Sequence, residues 1–348
     1  MKRLIRIIRL VAKSCTIIFL NLLLISSVSA QTWQNISIPT SETQRSVHFI
    51  SANEGWSAGY SGTILHTTDY GLNWSLQTSN TTQGFISIRF IDNNIGWAGA
   101  GRIILRTING GETWTDIQAD SAGYISRNSL FPVSSTVAWA PVNTYGLTPS
   151  SRWFYRYTIE DNGNTTEELF DFIESTNQFY GIYFIDEDNG WSVGTNGQII
   201  RISNASSDSP SFSYQTSGIT ETLYGVFMLD PDNGWIAGVG GTILKTTDGG
   251  TTWAPLTSGT TTDLRGVYFI DLEKGWVVGD EGIILATEDG GGAWSGQTSG
   301  VTTTLWSVFF TDHGFIAGGD FDVRENGVIL RYKQPVKSMS WMPLLLEE

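Results

Sequence analysis

After residue 30, apolar residues come in short runs separated by Gly, Asn and Asp turns, with no sustained 3.6-residue period. The runs recur. Val47-His48-Phe49, Ile88-Arg89-Phe90, Ile182-Tyr183-Phe184, Val226-Phe227-Met228, Val267-Tyr268-Phe269 and Val308-Phe309-Phe310 each stand just before a turn and an aromatic dipeptide. The dipeptides are Gly55-Trp56, Gly96-Trp97, Gly190-Trp191, Gly234-Trp235 and Gly275-Trp276, with Ala138-Trp139 and Gly314-Phe315 as weaker copies. Successive aromatic positions lie 41, 42, 52, 44, 41 and 39 residues apart, which makes seven units. A Gly-rich turn, an Ile-Leu pair and a turn ending in Trp complete most units. The pattern predicts four short strands per unit. A four-stranded antiparallel unit repeated every forty-odd residues is a β-propeller blade, so an all-β seven-bladed propeller is expected over 31–333.

A propeller must join its ends. Thr32-Trp33-Gln34-Asn35-Ile36 resembles the fourth strands that begin at Trp74 and Trp114, and it is the favoured closing strand of the seventh blade. Ser340-Trp341-Met342-Pro343-Leu344, in the tail 334–348, is the competitor.

The first 30 residues follow another rule. A basic stretch (Lys2, Arg3, Arg6, Arg9, Lys13) precedes an apolar run, Cys15 to Ile25, and small residues ending at Ala30. This is the layout of a secretory signal peptide, 1–30, with a run too short to span a bilayer comfortably. An exported protein is expected, in the periplasm, the thylakoid lumen or outside the cell, with no membrane span once the signal is removed. Cys15 is the chain's one cysteine, so the mature protein folds without disulfides. It carries 15 Lys and Arg against 34 Asp and Glu, a net charge of −19. That excludes nucleic acid as a natural partner.

The turn Thr-x-Asp-x-Gly-x-x-Trp occurs at 67–74 and 246–253 and, with substitutions, at 107–114 and 287–294. Asp accepts backbone N–H groups, Gly takes the positive-φ position and Trp buries its ring, so the motif is read as an architectural Asp-box hairpin. Together with Val-x-Phe-x-Asp-x-x-x-Gly-Trp and Gly-x-Ile-Leu-x-Thr-x-Asp-Gly-Gly, it resembles the photosystem II stability and assembly factor family over nearly all of 31–333. That resemblance implies a seven-bladed, non-enzymatic propeller that binds a protein or peptide partner, such as a membrane-protein assembly intermediate. Photosynthetic members carry a prominent arginine patch, whereas this mature chain has 11 Arg within its acidic balance. The alternative is a carbohydrate-binding or sialidase-like Asp-box propeller. For that reading Arg45, Arg127 and Arg265 could mimic an arginine clamp, but no Tyr–Glu partner can be assigned.

No cofactor, metal or catalytic residue is expected. His48, His66 and His313 are scattered, and the acidic turns at 186–190 and 230–234 lack the spacing of a calcium loop. The partner site is placed at the channel mouth, four positions before the first-strand Phe or Met, and a monomer is expected. Aligned through Phe131 in the third unit, those positions are Arg45, Ile86, Arg127, Tyr180, Tyr224, Arg265 and Trp306. Arg, Tyr and Trp anchor interfaces disproportionately. A free-standing ring of this kind would tolerate reversal of Arg45 and Arg265 to Glu without loss of stability. A second set (His66, Arg106, Arg201, Lys245 and Arg331) is expected to stack on buried Trp rings between blades. The acidic turns should lie on the face away from the ring.

Overall fold

The Gly-Trp dipeptide organises each blade, and the structure shows how. In this computed structural model, which describes residues 32–101, 103–117, 124–125, 130–143, 151–174 and 178–333, the first-strand Phe pairs with that Gly, as in Phe49↔Gly55, and its ring lies flat across it. A Cβ on Gly55 would come 2.5 Å from the Phe49 ring, and Gly96, Gly190 and Gly275 are crowded by Phe90, Phe184 and Phe269 in the same way. The Trp beside the glycine points to the next blade. Trp56 stacks on Phe90 of blade 2 at 3.5 Å, Trp235 on Phe269 of blade 6 at 3.6 Å, and Trp276 on Phe310 of blade 7 at 3.8 Å. The core therefore lies between blades: Trp56 and Ile64 of one share a cluster with Phe90 and Leu105 of the next.

Seven antiparallel sheets carry this packing over one compact unit, Trp33–Tyr332. Blades 1, 2, 4, 5 and 6 each run in sequence order through four strands, from the first strand (Gln44–Phe49 in blade 1) to the outer fourth (Ser75–Gln77). In blade 7 the order is Thr32–Ile36, Val328–Lys333, Gly314–Gly318, Leu305–Phe310, so the N-terminal strand closes the ring, as its likeness to the other fourth strands implied. Trp33 takes the place of an Asp-box Trp there, donating to Gln297 Oε1 of blade 6 at 2.8 Å and packing on Tyr332. The leader and the tail with Trp341 lie outside the described residues. Among the described residues no helix is long and apolar enough to cross a membrane.

Blade 3 departs from the expected four short strands. Its first strand is present as two pieces, Tyr124–Ile125 and Phe131–Pro132, and its third and fourth strands, Ser151–Ile159 and Thr165–Glu174, are long, which accounts for the 52-residue step. Its register also corrects the sequence alignment. Phe131 pairs with Trp139, the position His48 holds opposite Trp56, and Pro132 faces Ala138. Where the dipeptide glycine is Ala138, a Phe ring cannot lie across it, so the flatter proline does.

The Asp-boxes hold each hairpin and reach across to the previous blade. In blade 5, Asp248 Oδ1 accepts from Thr246 Oγ1 and Thr252 N, both at 2.9 Å, and Gly250 N donates to Thr246 Oγ1 at 2.8 Å. The carbonyl of Gly249 is left pointing outward, where Trp191 Nε1 of blade 4 donates to it at 3.3 Å and Gln215 Nε2 at 3.0 Å. Trp56 uses Gly110 O of blade 2 and Trp235 uses Gly290 O of blade 6. Trp97, Trp139 and Trp276 face blades without an Asp-box, and among the described residues their buried indole N–H groups have no acceptor. Phe315 has no N–H to give, and there Arg331 Nε donates to the equivalent carbonyl of Tyr70 at 2.7 Å.

Two expectations follow. Trp235→Phe removes a buried hydrogen bond while Trp97→Phe removes only an unsatisfied donor, so the first should cost ~1–2 kcal/mol more in denaturant melts. Hydrogen bonds from Thr252 first, and then from Thr246 and Gly250, hold the Asp248 pKa below 3.8. A depressed carboxylate pKa stabilises fully above its unfolded value and is lost as pH falls through its folded value. The melting temperature should therefore drop as pH falls below 3.8, and less steeply in Asp248→Asn, whose amide oxygen still accepts, as Asn109 does in blade 2.

Candidate functional site

The first strands line the central channel, and in five blades a β-bulge at the entry turns one side chain onto the mouth. In blade 1 the bulge falls between Gln44 and Ser46, and Arg45 is the turned residue. Blades 4 to 7 repeat it at Tyr180, Tyr224, Arg265 and Trp306. These five form a continuous arc. Tyr180 packs on Tyr224 with ring centroids 5.4 Å apart, the Arg265 guanidinium lies 4.1 Å over Tyr224 and 5.5 Å from Trp306, and that of Arg45 lies 3.6 Å over Trp306. Ile86 lines the channel next to them. Arg127 lies outside the described residues, and the register of Phe131 moves the position it was assigned by one residue.

The arc is less free and less cationic than its sequence implied. Arg45 is 2% exposed, enclosed by Trp306, Tyr60 and Phe321. Arg265 donates to both Asp280 oxygens, at 2.9 and 2.6 Å, and to Asp263 at 3.3 Å. Burial opposes the Arg265 charge, and the Asp280 bonds outweigh it, raising the pKa. Tyr180 donates to Gln178 Oε1 and Trp306 to Gly319 O. Tyr60, Phe321, Asp263 and Asp280 were not anticipated. Tyr60 and Asp280 both open the tight turn after a second strand, a position held by Thr195 in blade 4 and Val239 in blade 5, so the position recurs while its chemistry does not. The acidic turns do lie on the opposite face, and the Asp186 and Asp230 carboxylates accept N–H groups of their own turns. Carboxylates nonetheless also reach the mouth.

Three residues further along the chain from the bulged residue, past Ser46, Ser87 and Gly225, lies a second ring. Its members precede the first-strand Phe or Met: His48, Arg89, Tyr183, Phe227, Tyr268 and Phe309, with Phe131 from blade 3. Tyr183, Phe227, Tyr268, Phe309 and His48 succeed one another at 4.7–5.2 Å between centroids. Phe131 packs on Tyr183 at 5.2 Å, with Arg89 4.0 Å over Phe131. His48 Nδ1 accepts Phe90 N–H at 3.3 Å, and burial, then the Arg89 charge, lowers its pKa to about 3. The ring had been legible: these residues are the middle members of the repeated runs.

Four of the second basic set, His66, Arg106, Arg201 and Lys245, lie over a Trp as expected, but across one blade rather than between two, while Arg331 stands opposite Phe315. Trp191 pairs in register with Arg201, whose guanidinium lies 3.7 Å over the indole, and Trp56 with His66, 4.7 Å apart and nearly parallel.

Residues 25–122 and 205–305 match the profile of the family described as photosynthesis system II assembly factor YCF48. The chain belongs to this family. Among solved structures it is similar to one titled YCF48 bound to D1 peptide, at 20% identity and a TM-score of 0.70, covering 90% of this chain and 99% of that one. It is also similar to YCF48 from Cyanidioschyzon merolae, at 18% identity and 0.65, covering 86% and 98%. The WD40 propeller of Doa1, at 12% identity and 0.65, covers 88% and 97% and shares the fold alone. No curated protein matches the chain.

Because Arg45 and Arg265 are both built into the mouth, reversing them is not neutral in this family member. Arg45→Glu with Arg265→Glu sets carboxylates against aromatic faces and against Asp280. Uncompensated buried charge should cost ~3–5 kcal/mol, read as a lowered midpoint in a denaturant melt.

Proposed function

We propose that this chain is an exported assembly factor that acts by binding and not by catalysis, holding a segment of a protein partner across the Arg–aromatic mouth. The observation that carries the reading is the arc from Tyr180 through Tyr224, Arg265 and Trp306 to Arg45, rigidly stacked at one channel mouth in a member of an assembly-factor family. Its half-buried tyrosines can bury apolar side chains without ordering flexible groups, and its fixed geometry spares the partner the entropy of assembling a site. A structural neighbour holds a D1 peptide by its title, which makes a segment of a maturing membrane protein the partner class of choice here. Residues 1–30 support export to the periplasm, the thylakoid lumen or the exterior, and a mature N-terminus at Gln31 in that fraction would bear it out.

Tyr180 and Tyr224 are the pair to change, because they form the more exposed end of the arc and Arg45 is structural. Titration of a labelled D1 peptide, and of the protein captured from the source membranes, should show Tyr180→Ala with Tyr224→Ala binding at least ~10-fold more weakly, about 1.4 kcal/mol. Equal affinity in the folded double variant would remove the site from this mouth. Hydrolysis of a sialoside or glucan by the protein would overturn the non-catalytic reading.

A further inference from the structure

From the mouth inward, the channel encloses about 300 Å³, and among the described residues none that lines it is acidic. This is unusual for a chain with a net charge of −19 after residue 30. Two of its three arginines are accounted for at the mouth. The third, Arg89, stands in the ring at the far end, where among the described residues no carboxylate or carbonyl accepts from it. Its guanidinium rests on Phe131 at 4.0 Å and lies 5.5 Å from the Tyr183 ring. Burial works against its charge. Tyr183 lines the same space, and no group among the described residues accepts its hydroxyl. His48 on the other flank is a neutral ring whose Nδ1 is occupied by Phe90 N–H, so its proton sits on Nε2. Phe227, Tyr268 and Phe309 complete an apolar wall opposite these donors. Buried guanidinium groups are ordinarily matched by an anion, and one left open among aromatic faces matches a planar carboxylate through two parallel N–H···O bonds.

We propose that the channel floor is a binding site for a carboxylate carried on a small apolar or aromatic group, with Arg89 as its counter-ion and Tyr183 and His48 as further donors. The site lies deeper in the same channel, three residues along each first strand from the mouth positions, and rests on side chains the partner reading does not use, so it goes beyond that reading. The same chemistry has two sources, a free small acid or the carboxyl terminus of a chain threaded through the mouth.

Sodium benzoate is the first probe, with benzamide as its uncharged match, titrated calorimetrically into the mature protein. Benzoate should bind saturably and benzamide at least ~10-fold more weakly. Arg89→Gln should lose benzoate by at least ~10-fold, and Tyr183→Phe, a fold-neutral deletion of one hydroxyl, by ~3-fold or more. If Arg89→Gln does not fold, Arg89→Lys takes its place, because it keeps the charge without the fork and should still weaken binding ~5-fold. Tyr180→Ala with Tyr224→Ala should leave benzoate affinity within ~2-fold, so failure here and failure of the mouth reading are distinguishable. N-acetyl-phenylalanine against its amide then separates the sources: a preference for the acid over the amide supports a chain terminus, and benzoate binding without that preference supports a free acid. Absent saturation, equal binding of benzoate and benzamide, or benzoate binding unchanged in Arg89→Gln would overturn the proposal.

Discussion

Everything in this propeller depends on one sandwich. A second-strand Trp is pressed between the basic side chain opposite it in its own blade and the first-strand Phe of the next, and that Phe in turn lies on a glycine that cannot carry a Cβ. A large aromatic surface is thus buried at an interface between repeats, not inside one of them. A blade alone could not hide its Trp, and stability must come from neighbours, as in other repeat architectures. The Asp-box adds direction to this apolar contact, because its outward carbonyl accepts the indole N–H only from the preceding blade. Dispersion and hydrophobic burial supply the strength, and that hydrogen bond supplies the alignment.

The channel chemistry is a by-product of the same strand geometry. Along the first strand, Val47 and Phe49 join the blade-interface core, while Ser46 and His48 are the less buried members and line the channel. The channel-facing members also pack on one another, yet their chemistry varies from Ser and His to Tyr, Phe and Arg. At the bulges that chemistry becomes the Arg–aromatic arc, and beyond it the ring that contains Arg89. The candidate site is carried at positions whose identity varies from blade to blade, on strands that the fold makes rigid.

Blade 3 shows how far a repeat can be read and where reading fails. An apolar run ending in Phe131 invites alignment with Phe49, yet the strand is shifted by one so that Leu130 packs under Trp97 and Phe131 takes the channel position. A one-residue slip exchanges every side chain between faces, which is why the error moved a proposed site residue. A clue was present. Ala138 in place of glycine forbids a Phe ring opposite it, and Pro132 is the residue that answers that constraint.

Sequence alone determined the seven units, the strand content and the N-terminal closure, because each rests on local periodicity and on a likeness between short segments. It also placed Arg45, Tyr180, Tyr224, Arg265 and Trp306 at one mouth, since equal positions in a repeat must converge. Only the tertiary structure decided what those side chains do. Arg45 is enclosed by Trp306, Tyr60 and Phe321, and Arg265 is claimed by Asp280. Tyr60 and Asp280 come from the turn after the second strand, a position that recurs in the repeat but holds Thr195 and Val239 elsewhere, so the sequence marks the place and not the contact. The setting of Arg89 belongs to the same class, for whether a counter-ion stands beside it among the described residues depends on several blades around the channel and not on any one segment of sequence.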